Sequence, residues 1–571
     1  MVAISSQNSS DPSPSRWEKQ LVFSPVTDAV GGSLGLSALC AILPLIGFFV
    51  FLMVLKWKAH WSALASVVVA LLVGIIFFHM PANLAVLAFS QGVAFGIFPI
   101  VYIIWMAVWV YDLTVISGRF DDLRTIFAKV GRGDMRVQAM LIGFAFGGLL
   151  EALAGFGAPI AIVAAMLLAI GLKPIKAVLV TFVANCAPVA FGAMAIPVTT
   201  GGLLTQIPGE QVAAMAGRQV SLIALVVPFI LALIMDGTRG VRQTWPMALL
   251  LGVAFGGGQF LGSNYFSYVL TDVVACLLSL TCGVLFLRVW KPTTPEDQAS
   301  SINADELHLT PERTILALFP YLLIVFVFSF TSLWKIGVNV PAALRSTDMK
   351  IQWPGLHGHI VNAAGEPVNN TIFNFNWLST PGTIMFFCGL ITVAVYTAFS
   401  RGGKYPMNFG TGLAQLGKGA YKMRYSALTI AAVMGLAYTM NMSGQTASIG
   451  AFLAATGSVF PLLSPLLGWV GTWVTGSATS ANALFAQMQA TTASQVGVSP
   501  TLLVGANTAG ATLGKMMSPQ TLTIAAGAVQ MENGERTIMG QAWKYSLGLL
   551  VYLCIIIYLQ STPVLGWMVV G

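Results

Sequence analysis

Charge is what this chain has least of. Of its 571 residues only 8% are Asp, Glu, Lys or Arg, whereas 56% are hydrophobic, and the mean hydropathy is +0.81. A soluble domain ordinarily carries about a quarter charged residues and cannot hide so much apolar surface, which excludes that class. Histidine is scarce as well. Four of the five lie in loops or linkers and His79 stands at a span's end, and there is no G-x-S-x-G. An intramembrane hydrolase needs a nucleophile with a base beside it, so no enzyme is expected. The six cysteines (Cys40, Cys186, Cys276, Cys282, Cys388, Cys554) sit in apolar segments without metal-site spacing and read as small buried hydrophobes. His357-x-His359 lies in a polar loop with no third ligand nearby, so neither metal nor cofactor is expected. The first 32 residues are polar and lack a basic region leading into a cleavable apolar core, so no signal peptide is expected.

What is present is apolar length. Uncharged runs able to span a bilayer recur, among them Ala38–Leu55, Trp61–Phe78 and Thr314–Trp334. The net charge of +8 does not call for nucleic acid. With Lys56 and Lys58 on the cytoplasmic side, alternation puts 21 of the 28 Lys and Arg inside and six outside, with Lys515 left within the membrane. That is the positive-inside bias of a multi-pass membrane protein.

Taken in order, residues 1–32 form a polar external tail and 33–289 a first transmembrane half. A cytoplasmic linker (290–313) leads to a second half (314–571) with an external loop at 335–380. In the first half, spans are expected at 33–55, 61–79 and 99–117, with 84–98 at the interface and Arg119–Arg136 as an amphipathic inner segment. Val137 to Leu172 has Glu151 as its only charge, and basic residues flank it on both sides. It reads as a re-entrant hairpin, although two cramped crossings fit the length. Spans follow at 219–235, 244–262 and 268–287. In the second half a span (314–333), the loop and a returning span lead to a basic segment, Arg401–Arg424. A span at 426–443, a hairpin at 466–495 and a last span at 541–562 complete the chain. The expected fold is an all-α polytopic membrane protein of about 12 transmembrane helices plus two re-entrant hairpins.

The two halves echo each other. Asn185–Pro197 and Asn507–Pro519, 322 positions apart, both fit N-x-A-x4-G-x-M-x2-P. Upstream, Gly118 of one Ser-Gly pair stands 53 residues before Gly171 of Gly-x-x-Pro, and Gly444 stands 53 before Gly497 of a second Gly-x-x-Pro. Alternation runs 99–117 inward and 426–443 outward, so the repeats (99–198 and 426–525) are expected to have inverted topology. Each contains a Gly/Pro-broken apolar helix with an Asn in it, the kind of pairing that marks a transport site at a repeat interface.

From Arg424 to Glu532 the one charge is Lys515. An ionisable residue at membrane depth costs about 2.5–3.5 kcal/mol or more on insertion scales, which points to function. Lys515 either neutralises a small carboxylate or, being near a helix end, reaches the inner interface. Glu151 either carries a coupling proton or accepts hydrogen bonds from hairpin backbone. Gly155-Phe156-Gly157 and Gly476 to Asn482 would form the hairpin tips, where Gly lets N–H groups approach an anion and Ser477, Thr479, Ser480 and Asn482 supply neutral donors. The same small residues also allow close helix packing. Asn185, Asn507 and Thr508 on the broken helices complete the candidate binding set, and Asp112 is a second candidate for the proton. Tyr111, Tyr438 and Asn441 border the same region.

At these residues the chain resembles the lactate permease family of bacterial proton-coupled monocarboxylate symporters. The resemblance is carried by Leu150–Ala161, Asn185–Pro197, Ser443-Gly444, Thr475–Phe485 and Val504–Gln520, and covers nearly the whole chain. It implies uptake of L-lactate, and commonly D-lactate and glycolate, with H⁺ across the bacterial inner membrane. By analogy with transporters built on paired hairpins, it also implies an elevator-like motion. Two departures matter. Ala478 and Ala481 stand where the family pattern has Asp and Ser, and Ala152 stands where it usually has Gly. Without an Asp in the second hairpin, the expected proton site shifts to Glu151. A uniporter, a channel for small organic anions, or a symporter for another small carboxylate are the alternatives.

Overall fold

A computed structural model describes residues 22–130, 133–153, 158–299, 310–331, 343–344, 346–361, 365–401, 404–531 and 534–570. The first half runs α1 (Leu34–Ala41), α2 (Leu43–Phe49), α3 (Ala59–Ile76), α4 (Ala82–Phe95), α5 (Tyr102–Ile116) and α6 (Arg119–Val130). It continues with α7 (Met135–Met140), α8 (Gly147–Leu153), α9 (Ala158–Ala169), α10 (Pro174–Asn185), α11 (Gly192–Thr205), α12 (Gly209–Tyr265) and α13 (Thr271–Val289). The second half comprises α14 (Pro311–Thr331), α15 (Pro381–Ala398), α16 (Phe409–Ser443), α17 (Gln445–Leu453) and α18 (Phe460–Thr475). It ends with α19 (Ala478–Val496), α20 (Pro500–Gly514), α21 (Pro519–Ala528) and α22 (Glu535–Gln560). Among the described residues, nine helices are long and apolar enough to cross a membrane, or ten with the bent pair at 174–205 counted as one span. Large apolar side chains such as Val54, Trp61, Ile76, Val253, Leu285, Ile315 and Phe326 are exposed on their outer faces, where lipid rather than water suits them.

As the separate spans expected at 219–235 and 244–262 require, the 57-residue α12 is two arms, because Asp236 and Gly237 leave helical geometry just before Arg239 and Arg242. Two local differences from the sequence reading have physical reasons. The segment 84–98, expected at the interface, becomes α4 and packs face to face on α16: a Cβ at Gly92 would stand 2.6 Å from the Met434 carbonyl oxygen. The basic segment 401–424 is not separate from the following span. Asn408 caps the start of α16 through Thr411 N–H, no proline interrupts it, and one helix of 35 residues runs from Phe409 to Ser443. The 335–380 loop adds a feature absent from an all-helical reading, the antiparallel pair β1 (Met349–Gln352) and β2 (Ile372–Phe375).

The two faces of the bundle are tied separately. On one, Phe23 N–H donates to His359 O and Val361 N–H to Phe23 O, so the end of the N-terminal tail meets the 335–380 loop. On the other, the fully buried Arg136 bonds Asp134 at 2.8 Å and Asp236 at 2.9 Å, and Arg239 joins Asp236 to Asp297 of the linker. The Arg239 guanidinium holds the Asp297 carboxyl below the usual carboxylate range. Arg313 pairs with Asp122, to which Tyr405 also donates, so residues assigned to the inner surface converge there.

The echo between the halves is visible in the backbone. Gly118 (φ 69) and Gly444 (φ 90) both turn left-handed after a serine, and Gly171 (φ 105) and Gly497 (φ 80) do so before Pro174 and Pro500 open α10 and α20. Only glycine takes that conformation without Cβ strain. Both broken helices also break where expected. Helix α10 stops at Asn185, and α11 begins through Ala193, Met194 and Ala195 at φ 45, 61 and 61. Helix α20 stops at Gly514, Lys515–Met517 form a single 3₁₀ turn, and Ser518 caps α21 with Pro519 in its first turn. The second arm of each expected hairpin then packs on the other half's broken helix: α9 on α21, and α19 on α11. Inside lipid, helices associate through close packing of small residues, and α18 and α20 show how close. A Cβ at Gly468 would stand 1.9 Å from Asn507 O, and one at Gly510 2.1 Å from Pro465 O.

Candidate functional site

The two lone charges of the sequence meet. Glu151, near the end of α8, and Lys515, in the turn after α20, are 364 positions apart in the chain, yet Lys515 Nζ donates to Glu151 Oε1 at 2.5 Å. Asn185, the last residue of α10, donates to the other carboxylate oxygen at 3.1 Å. The side chains of Lys515 and Glu151 are 7% and 4% exposed. Lys515 therefore does not reach out to the inner interface, and both Glu151 oxygens are held by side chains. Each position follows from local structure. Asn185 is where α10 stops, and Lys515 begins the turn where α20 stops, at a helix C-terminus whose free carbonyls favour a cation.

The pair opens onto a cleft lined by Val189, Gly192, Ala193 and Pro197 from the first break and by Gly476, Ser477, Ala478 and Thr479 from the second hairpin. The cleft holds about 360 Å³ of atom-free space, part of it open to solvent. Glycine at 192 leaves room for the carboxylate, since a Cβ would stand 3.0 Å from Glu151 Oε1, tighter than ordinary contact. Across from it, Gly476 turns left-handed (φ 73), and Ser477 caps α19 by accepting from Ser480 N–H at 3.3 Å. Ala478 and Thr479, in the first turn of α19, line the same cleft as Lys515. A cation and a helix N-terminus beside one small cleft are chemistry that favours an anion.

Other expected residues go elsewhere. Asn482 donates to Pro197 O at 2.9 Å and Thr508 Oγ1 at 3.0 Å, and accepts from Asn507 Nδ2 at 2.8 Å. Asn507 Oδ1 in turn accepts from Gln489. Asn482, Asn507 and Thr508 form a buried polar lock between α19, α20 and the first broken helix, and none of them lines the cleft. Ser480 is buried at the cap of α19. Asp112 accepts from Gln415 of α16 and does not line the cleft either. Tyr438 and Asn441 border a second, smaller cavity with Gln206 and Asn370. Gly155, Phe156 and Gly157, the expected first tip, lie outside the described residues. Among the described residues no cluster of His, Cys, Asp and Glu is arranged to hold a metal ion.

The sequence reading did not name Gly192 and Ala193 as cleft-lining positions, and it missed Asp272 and Gln259. Asp272, in the first turn of α13, is 1% exposed and accepts from Gln259 Nε2 at 2.8 Å. A carboxyl inside an apolar span was the available signal, the same one that picked out Glu151.

Comparison with known proteins agrees with the residues. The family model described as L-lactate permease matches residues 37–564. Glycolate permease GlcA of Escherichia coli K12 is 37% identical over 558 residues, covering 94% of this chain and 98% of that protein. The L-lactate permease of Bacillus subtilis 168 is 35% identical over 565 residues, covering 95% and 98%. The crystal structure of the Alcanivorax borkumensis YdaH transporter aligns over 85% of this chain and 89% of its own at 15% identity, with a TM-score of 0.45. With its apolar helices, its two broken helices and a family match over nearly its full length, the chain belongs to the L-lactate permease family.

Proposed function

We propose that this protein imports L-lactate, and with it D-lactate and glycolate, together with a proton across the bacterial inner membrane. The observation that carries the reading is the buried Lys515–Glu151 pair at the mouth of the anion cleft. In a low-dielectric site neither charge is tolerated alone. An incoming carboxylate that takes the Lys515 ammonium leaves Glu151 without its cation, and a proton on Glu151 restores neutrality. One proton then accompanies each monocarboxylate, and the loaded and empty sites carry the same net charge. In this reading the carboxylate lies between Lys515 and the N-terminus of α19. Ser477 and Thr479 meet the 2-hydroxyl, while Asn185 orients Glu151. The Asn482–Asn507–Thr508 lock keeps the two broken helices in register.

In the same reading α8–α9 and α18–α19 are the re-entrant hairpins of two inverted repeats. The crossed packing of α9 on α21 and α19 on α11 supports this, as do the matching left-handed glycines. The test is uptake of labelled L-lactate into proteoliposomes. Accumulation is expected to follow an inward proton gradient, to collapse with a protonophore, and to be indifferent to a clamped membrane potential. Uptake that merely equilibrates whatever the gradient overturns the proton coupling, and uptake of glycolate alone moves the substrate.

A further inference from the structure

Where α10 breaks, the carbonyl of Ala187 has no helical partner and lies buried. Gln259, on the second arm of α12, supplies one: its Nε2 donates to Ala187 O at 2.9 Å. The same nitrogen donates its other hydrogen to Asp272 Oδ1 at 2.8 Å. Gln259 is 0% exposed and Asp272 1%. Among the described residues Asp272 Oδ2 has no hydrogen-bond partner and no cation pairs with this carboxyl. A buried carboxyl held only by one amide is costly, and the sequence could have placed an apolar residue here. Ala187 is two residues beyond Asn185, whose side chain holds Glu151 Oε2. Helix α13 also packs directly on α8, where a Cβ at Gly148 would stand 2.8 Å from Cys276 Sγ.

We propose that Gln259 and Asp272 are positioning residues for transport. The Asp272 carboxyl orients the Gln259 amide, the amide anchors the unwound backbone at Ala187, and that anchor keeps Asn185 on the Glu151 carboxylate. The inference rests on Glu151 being the proton carrier. The groups facing Glu151 are Lys515 from the turn after α20, Asn185 from α10, and Asp272 from α13 within electrostatic reach. Those facing Asp272 are Gln259, Glu151 and, on its own helix, the Cys276 thiol.

The experiment is the pH profile of lactate uptake in proteoliposomes containing the full chain, with assembly checked by size exclusion. Asn185→Ala removes a donor from the Glu151 carboxylate and so favours its protonated form. The pH midpoint of uptake is expected to rise by about one unit, the size of one hydrogen bond to a charged group. Gln259→Met is expected to give the same rise, with KM changed less than maximal rate. The Gln259→Met/Asn185→Ala double variant should rise no further, because both act through one bond. Asp272→Ala repeats the test should Gln259→Met fail to assemble. Asp272→Asn, which keeps an acceptor for the Gln259 amide, should restore the wild-type midpoint. Activity lost at an unchanged midpoint, or shifts that add, would overturn the proposal, as would an Asp272→Asn midpoint shifted like that of Asp272→Ala. Wild-type uptake with no pH dependence would instead refute the proton coupling on which it rests.

Discussion

Replacing Glu151 with Gln tests the ion pair most directly. Gln keeps the volume and an acceptor for Asn185 and Lys515, but it removes the negative charge. Among the described residues Glu151 is the one acidic partner of Lys515, and both side chains are more than nine-tenths buried. In Glu151→Gln the empty site therefore strands a buried cation, a loss of about 3–5 kcal/mol for a broken buried pair. At about 1.4 kcal/mol per tenfold, moving the empty carrier through its cycle should slow by about 10²–10⁴-fold. With a carboxylate bound, the lysine is neutralised again and the loaded carrier moves freely. The expected phenotype is split: net lactate uptake driven by a pH gradient is nearly abolished. Lactate–lactate exchange across the same vesicles stays within about tenfold of wild type, since the restored pair removes that cost, and it loses its pH dependence. Counterflow of labelled lactate against unlabelled lactate, measured beside net uptake, separates the two. Net uptake near the wild-type rate that still responds to pH would refute the reasoning. So would loss of exchange in a variant that is folded in the membrane.

Lys515→Ala removes the cation the substrate carboxylate is proposed to meet, and uptake should fall about 10–100-fold, as for a lost charge-assisted hydrogen bond. Normal lactate uptake by a correctly inserted Lys515→Ala protein would rule that role out. Gly510→Ala forces a methyl to within 2.1 Å of the Pro465 carbonyl oxygen at the α18–α20 contact. It should destabilise the protein by about 1–3 kcal/mol, as overpacking does, read as a lower melting temperature in detergent; an unchanged melting temperature would mean that these two helices are not in such close contact.

Much of the architecture was legible in the sequence because the signals are local. An uncharged apolar run needs only its own length to be read as a span, and two such runs with Arg239 and Arg242 between them are two spans. The breaks after Asn185 and Gly514 followed from Gly and Pro at matched positions, which constrain backbone whatever surrounds them. The lone charges at 151 and 515 stood out because charge is expensive in lipid anywhere. The same rule, applied to Asp272, would have found it. Less local features were misread. The 401–424 stretch reads as a separate basic segment, because its polarity suggests a boundary. A capped helix without proline simply continues through it.

By itself, then, the sequence determined the membrane class, the broken helices and the family. Each of these is written in residue type and spacing along one stretch of chain. Only the tertiary structure decided that Lys515 and Glu151 are partners, that Asn482, Asn507 and Thr508 satisfy one another away from the cleft, and that Gln259 and Asp272 brace the first break. The Lys515–Glu151 and Asn482–Pro197 contacts join opposite halves, brought together by the crossed packing of α9 on α21 and α19 on α11, whereas Gln259 reaches Ala187 and Asp272 within the first half. Which buried polar groups then find each other depends on helix rotation and depth, quantities that no periodicity along the chain encodes.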